Sequence, residues 1–250
     1  METKVDEIAE RIYRLSTFLP AVSPTGFTFN QFLVDAAEPL LFHCGQQALF
    51  PSVSRAVARV MDVRRLRWIA FSHIEADECG ALDQWLAAAP HATVTHGAIG
   101  CAIWLNDQAP RPPRALGDGE ALDLGDRRVR RLDTPHVPHC WDAGLLYEET
   151  TGTLFTSDLL THVGNPVAIT GGDILGPAME AERRFGYTAL TPDTGATIRR
   201  LAALGPRTLA IMHGSSYSGE TAPLLEALAT FYDDRLREQA AKAFHELKWE

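Results

Sequence analysis

The run His73-Ile-Glu75-Ala-Asp77 sets one imidazole and two carboxylates at alternate positions, where an apolar stretch (66–71) gives way to a helical pattern. Donors so spaced in a turn can converge on one point without long-range assembly. A mixed nitrogen and oxygen set suits iron, manganese or zinc better than a soft thiophilic ion. Taken alone, the string serves equally well as a polar helix start, where the macrodipole favours Glu and Asp. Three further stretches shift that balance. TPHVPHCWD (134–142) follows a strand pattern, LFTSD (154–158) is an apolar run closing on Asp158, and LAIMHG (209–214) is an apolar run closing on His213. One such residue is more often a satisfied structural group. All of them at the ends of buried strands would gather at one edge of a sheet sandwich. The resulting five to seven donors exceed the needs of one tetrahedral zinc and suit a two-metal centre.

The elements that must position these residues are legible in outline. Residues 27–34 and 38–44 read as strands, Val53, Val57, Val60 and Met61 recur at helical spacing, and 66–71 reads as a buried strand. Residues 81–89 read as a helix stopped by Pro90, 92–95 as a strand and the Pro/Gly-rich 106–120 as a loop. Four strand candidates fall between 121 and 158, followed by a long loop over 162–178, a helix over 194–205 and a strand over 207–213. From Glu220 onward Leu224, Leu225, Leu228, Phe231, Tyr232 and Leu236 form one helical stripe, read as docking on the protein's own core. Two strand-rich halves, each closed by helices, predict two sheets packed face to face with helices outside, an α/β (α+β) αββα sandwich in a single domain over 1–250.

Composition narrows the partners. Hydrophobic residues make up 46% and charged residues 22%, as in ordinary globular domains, and the net charge of -9 argues against nucleic acid. Arg127, Arg128, Arg130 and Arg131 read as a solvated strand face. The N-terminal METKVDEIAERIYRLS alternates charged and apolar residues without a signal-type core, and no apolar run nears the ~20 residues that span a bilayer. Cys44, Cys79, Cys101 and Cys140 lie far apart and read as reduced thiols, so the chain is expected to be soluble and cytoplasmic.

As a set, HxExD, a His ahead of Trp-Asp, a strand closing on Asp and a strand closing on His-Gly resemble the metallo-β-lactamase superfamily. His139 lies 62 residues beyond Asp77, Asp158 a further 19 and His213 another 55, and the resemblance covers essentially the whole chain. Hydrolytic branches typically read HxHxDH. Glu75 in place of the second His is similar to the flavodiiron proteins and the oxygen-binding di-iron proteins related to them. That resemblance implies an αββα sandwich holding two irons, with zinc or manganese as substitutes. His73, Glu75 and His139 would hold the first ion, Asp77 and His213 the second, and Asp158 would bridge them. Glu78 departs from the pattern, standing where a second His is usual; it either adds a ligand or swings away to leave a position open. The flavodiiron proteins also carry a C-terminal flavodoxin domain, whereas this chain closes on a helix, so no FMN is expected in it and electrons would come from outside.

Neighbouring residues carry less weight. His136 competes with His139, His162 can line the pocket or sit in a loop, and Cys79 and Cys140 read as small buried thiols. Asp133, Asp142 and Ser157 are candidates to orient ligand imidazoles, while His43, His91 and His96 read as structural or exposed. Three functions stay open: a di-iron oxidoreductase acting on O2 or NO with an external donor, a di-iron O2-binding sensor or store, and a two-zinc hydrolase of esters, lactones or thioesters. Glu75 weighs against the third. A separate redox or signalling protein is the expected macromolecular partner, membranes and nucleic acid are not, and a homo-oligomer is left open.

Overall fold

Strand β3 (Phe27–Val34) shows how the sequence builds the layers. Phe29 and Leu33 point to one side and Phe32 and Val34 to the other, each set entering a different hydrophobic cluster, as the two-residue period of a strand requires. With both faces covered, the strand reads as a nearly continuous apolar run.

The computed structural model describes residues 2–246, with side chains through 242. The first sheet has seven strands in chain order: β1 (Thr3–Ala9), β2 (Ile12–Leu19), β3, β4 (Leu40–Phe42), β5 (Trp68–Ala70), β6 (Thr93–Gly97) and β7 (Arg114–Leu116). The second sheet is built from β8 (Ala121–Asp123), β9 (Arg128–Asp133), β10 (Gly144–Glu148), β11 (Thr153–Ser157), β12 (Ile169–Thr170), β13 (Thr208–Ile211) and β14 (Ser216–Ser218). Its order is β12-β14-β13-β11-β10-β9-β8, with β11 and β13 parallel. Between the sheets lie Phe32, Phe42 and Phe155, whose rings meet at 5.2–5.6 Å, together with Leu122, Val129 and Leu146. Burying each such side chain contributes roughly 1.5–3 kcal/mol.

Helices cover both outer faces. On the first sheet are α1 (Phe50–Val57), α2 (Ala76–Cys79) and α3 (Leu82–Ala88); Val53, Trp85 and Leu86 pack there against Leu33 and Leu41. Then α4 (Ala98–Gly100) runs through a π-helical segment, Cys101–Leu105, into α5 (Asn106–Gln108). On the second sheet, α6 (Leu175–Phe185), α7 (Thr194–Ala202) and α8 (Thr221–Glu246) bury Ala178, Ile198, Leu201, Leu225, Leu228 and Tyr232. The result is the expected αββα sandwich, and the C-terminal stripe docks on its own core, with Leu236 only half-buried.

The N-terminal segment, for which the sequence predicts no element, forms the β1–β2 hairpin, with Val5 opposite Leu15. Three expectations need correction. The stretch 106–120 is not all loop: it contains α5 and the edge strand β7. The 162–178 stretch contains β12 and the first turn of α6. The arginines are not one solvated face, because only Arg128 and Arg130 reach solvent. Arg131 is buried, donating to Asp133 at 2.8 Å and to the Asp142 carbonyl, and buried Arg127 sits 3.9 Å from Glu148.

Candidate metal centre

Strands β5, β9, β11 and β13 end at one edge of the sandwich, and each hands the chain to a turn that carries a candidate ligand. Beyond β5 come Ser72 and His73, with Glu75 in extended backbone just ahead of α2, where Asp77 lies. The turn after β9 carries His139, Asp158 directly follows β11, and His213 lies two residues past β13. Connections at strand ends are where fixed scaffolds commonly present chemistry. The first sheet also grips the His213 turn: Asn30 donates to the carbonyls of Ile211 and Gly214 at 2.8 and 3.0 Å, and buried Arg14 donates to Gly214 at 2.9 Å.

The three imidazoles are oriented alike. His139 donates through Nδ1 to the Tyr187 carbonyl at 3.1 Å, and His213 to the Thr28 carbonyl at 2.8 Å. A carbonyl only accepts, so each Nδ1 carries the proton and Nε2 is left to face the cluster. His73 Nδ1 meets Ser72 Oγ at 2.9 Å, and that hydroxyl is 2.7 Å from Ser157 Oγ.

Two halves result. In the first, His73, Glu75, His139 and Asp158 bring one donor atom each within 4.8 Å of one another. The Nε2 atoms of His73 and His139 face each other at 2.7 Å, and Glu75 Oε2 lies 3.1 and 3.2 Å from them. Two facing lone pairs at that separation need a shared cation or a proton between them. In the second half, His213 Nε2 lies 3.3 Å from Asp77 Oδ2 and 3.1 Å from Asp158 Oδ1. The other Asp158 oxygen, Oδ2, faces His139 at 3.2 Å and His73 at 3.6 Å. One carboxylate therefore turns an oxygen to each half.

The electrostatics ask for positive charge. Burial would lower the His139 and His213 imidazoles, but hydrogen bonds to Asp158, with Glu75 and Asp77 respectively, override it and raise both to about 10. The hydrogen bonds from His139 and His73 hold Glu75 down at about 2. Burial works to raise the Asp158 carboxyl, yet hydrogen bonds from His139 and His213 keep it well below its ordinary range. Glu78 goes the other way: burial first, then Asp158 and Asp77, push it well up. Protons and metal ions compete for such a donor set. The residues present thus fit a pair of cations, held by hard oxygen and imidazole nitrogen.

A cavity of about 260 Å³ opens over these residues, walled by Val22, Phe27, Phe185 and Tyr187. The Phe27 ring is 4.4 Å from that of His213. The volume is below the ~300–1,000 Å³ typical of organic-ligand pockets, so it suits a small molecule.

The remaining candidates separate cleanly. His136 is exposed and outside the cluster. His162 spends both ring nitrogens on structure, donating to the Leu160 carbonyl at 2.9 Å and accepting from the Ser215 amide at 2.8 Å. Asp142 orients a histidine, but it is buried His96 at 3.0 Å, not a candidate ligand. Asp133 pairs with Arg131, His91 is exposed, and His43 is buried with Nδ1 against the Met212 sulfur at 2.8 Å. Cys79 donates to the Glu75 carbonyl at 3.2 Å. Cys140 differs from expectation: it is half-buried, and its sulfur lies within 4.8 Å of His73 and His139 nitrogens, though burial lifts the thiol to about 11. Sequence reasoning missed Thr28, Ser72, Phe27, Phe185 and Tyr187. Only Ser72, adjacent to the HxExD run, carried a local signal.

A family model described as ODP family beta lactamase matches residues 27–170, more than half of the chain. The chain belongs to this family. A diflavin flavoprotein A 1 from Nostoc sp. is 26% identical over 197 residues, covering 76% of this chain and 33% of that protein. An anaerobic nitric oxide reductase flavorubredoxin from Pectobacterium carotovorum is 22% identical over 136 residues, covering 53% and 27%. The chain spans about a third or less of the length of these relatives. Among solved structures, rubredoxin oxygen:oxidoreductase from Desulfovibrio gigas superposes with a TM-score of 0.79 at 16% identity, covering 94% of this chain and 62% of that one. At that identity the likeness concerns the fold. Among the described residues no helix is long and apolar enough to cross a membrane.

Proposed function

We propose that this chain is a non-haem di-iron protein that binds or reduces O2 or NO, either as a sensor or as a reductase fed by a separate redox protein. The observation that carries the reading is Asp158, which offers one oxygen to the His73/Glu75/His139 half and the other to the Asp77/His213 half. Glu75 adds a hard carboxylate where a hydrolytic site would carry an imidazole. His73, Glu75, His139, Asp77, His213 and Asp158 would hold two ferrous ions, which would supply the reducing electrons for a diatomic ligand. The chain's own part is orientation and exclusion. Thr28, Tyr187 and Ser72 fix the imidazoles from behind, and outer partners of this kind typically tune affinity 10–100-fold. Phe27 and Phe185 wall a cavity of about 260 Å³ that admits a diatomic and rejects bulk. Zinc or manganese can take the same donors, since zinc outranks Fe2+ in intrinsic affinity.

The test is anaerobic reconstitution with ferrous iron, then stopped-flow mixing with O2 or NO. About two irons per chain and a new visible absorption band are expected. Consumption that rises when a reduced rubredoxin- or flavodoxin-type donor is added marks a reductase; a band without turnover marks a sensor or store. No spectral change, alongside metal-dependent cleavage of a lactone or thioester by the same preparation, would replace this reading with that of a two-zinc hydrolase.

A further inference from the structure

Glu78 is fully buried on α2; among the described residues its carboxyl oxygens meet no backbone, hydroxyl or cationic donor, and its one side-chain partner is the neighbouring carboxyl of Asp77, itself a candidate ligand. Buried polar groups are nearly always satisfied, and an orphaned carboxyl is costly to keep. Its surroundings show what it faces instead. Oε1 lies 3.8 Å from His73 Nε2, in the first half of the cluster. The carboxyl also gathers with those of Glu75 and Asp77 within 4.8 Å, and Asp77 belongs to the second half. The Cys44 amide donates to the Glu78 backbone carbonyl, fixing this turn of α2 against the first sheet. Glu78 does not line the open cavity.

We propose that Glu78 is an additional carboxylate ligand of the two-metal centre, reaching both halves from the buried side. The inference rests on the two-metal reading above. Charge supports it. With neutral imidazoles, Glu75, Asp77 and Asp158 supply three negative charges, and two divalent ions would leave a positive excess against the buried inner wall formed by His73, Asp158 and His213. Glu78 supplies the fourth, and uncompensated buried charge is strongly disfavoured. A ligand arriving from the floor also leaves the cavity side free for a diatomic, so the departure from the usual His closes the site from behind without blocking its mouth.

The variants are Glu78→Gln, equal in shape without the charge, and Glu78→Met, apolar and close in volume. Both are loaded anaerobically with Fe2+, and in parallel with Mn2+, then challenged with a chelator series. Folding is followed by circular dichroism and by Tm with and without metal. Both variants are expected to fold, and Glu78→Met to be at least as stable as wild type without metal, because it removes an orphaned polar group. Both should release at least one ion at a roughly tenfold lower chelator concentration, and the rise in Tm on loading should shrink. A merely structural Glu78 predicts equal Tm changes with and without metal, and two ions held as tightly as in wild type; that result overturns the proposal. Wild-type protein that takes up no metal overturns the two-metal reading beneath it as well.

Discussion

Asp158 holds its place at both halves through three imidazoles, so in the proposed two-metal centre its loss would remove a donor from each ion and leave their mutual repulsion less screened. Asp158→Ala is expected to lower metal content from two ions per chain to one or none; full retention with an unchanged spectrum would rule out the bridge. The neighbouring histidine gives a contrast. His162 lies close in sequence, yet both ring nitrogens serve backbone, Nδ1 donating to Leu160 in its own turn and Nε2 accepting from Ser215 in the His213 turn. His162→Ala leaves the Ser215 amide unpaired, at a cost of about 1–3 kcal/mol. A fall in the urea midpoint with near-normal occupancy of the folded protein is the expected signature, and loss of metal without loss of stability would contradict it. Ser72→Ala isolates orientation. It removes the contact to His73 Nδ1, and metal affinity measured by chelator competition should fall roughly tenfold with little change in fold.

At the scale of elements, strand ends carry most of what was legible. Asp158 and His213 stand out because each closes an apolar run, and the sandwich follows from where such runs begin and stop. The rest was hidden for physical reasons. The β1–β2 hairpin lies at a sheet edge, so Lys4 stays in water while Asp6 and Arg14 pair at 3.7 Å, and alternation mixed with charge does not announce a strand. Helix α6 buries small Ala178 and Ala181, too little apolar surface for a helical period, and Pro177 in its first turn reads like a loop residue although the first turn tolerates it. Tyr187 comes from the segment after α6, 48 residues from the His139 it orients, and no local pattern connects them. Asn30 and Arg14 likewise clasp the His213 turn from the other sheet. The pivot of that turn is Gly214, with φ +112, where a Cβ would lie 2.3 Å from the His162 ring. Gly214→Ala should cost roughly 1–3 kcal/mol from backbone strain alone, and it should weaken metal binding by shifting His213. Wild-type stability and affinity together would show that the turn is more compliant than this.

For the whole molecule, the site is a joint between the two sheets: His73, Glu75 and Asp77 follow the first, and His139, Asp158 and His213 follow the second. Without metal, protons must do the neutralising. His139 and His213 are raised from 6.5 to about 10 in the folded state, so between those values the folded chain binds more protons than the unfolded chain. By linkage, the stability this provides is fully present below pH 6.5 and is lost as pH rises through about 10. Metal ions in the proposed centre would substitute for those protons and release them on binding, so a loaded protein is expected to show no such dependence over that range. Chelator-stripped protein should therefore lose Tm steadily as pH is raised from 6.5 toward 10, while metal-loaded protein changes little, and the gap between the two widens. Calorimetric scans of both forms across that window measure it directly. A stripped form whose Tm is flat, or rises, would mean that the imidazoles are already neutral and that the carboxylates around them hold less charge than their geometry implies.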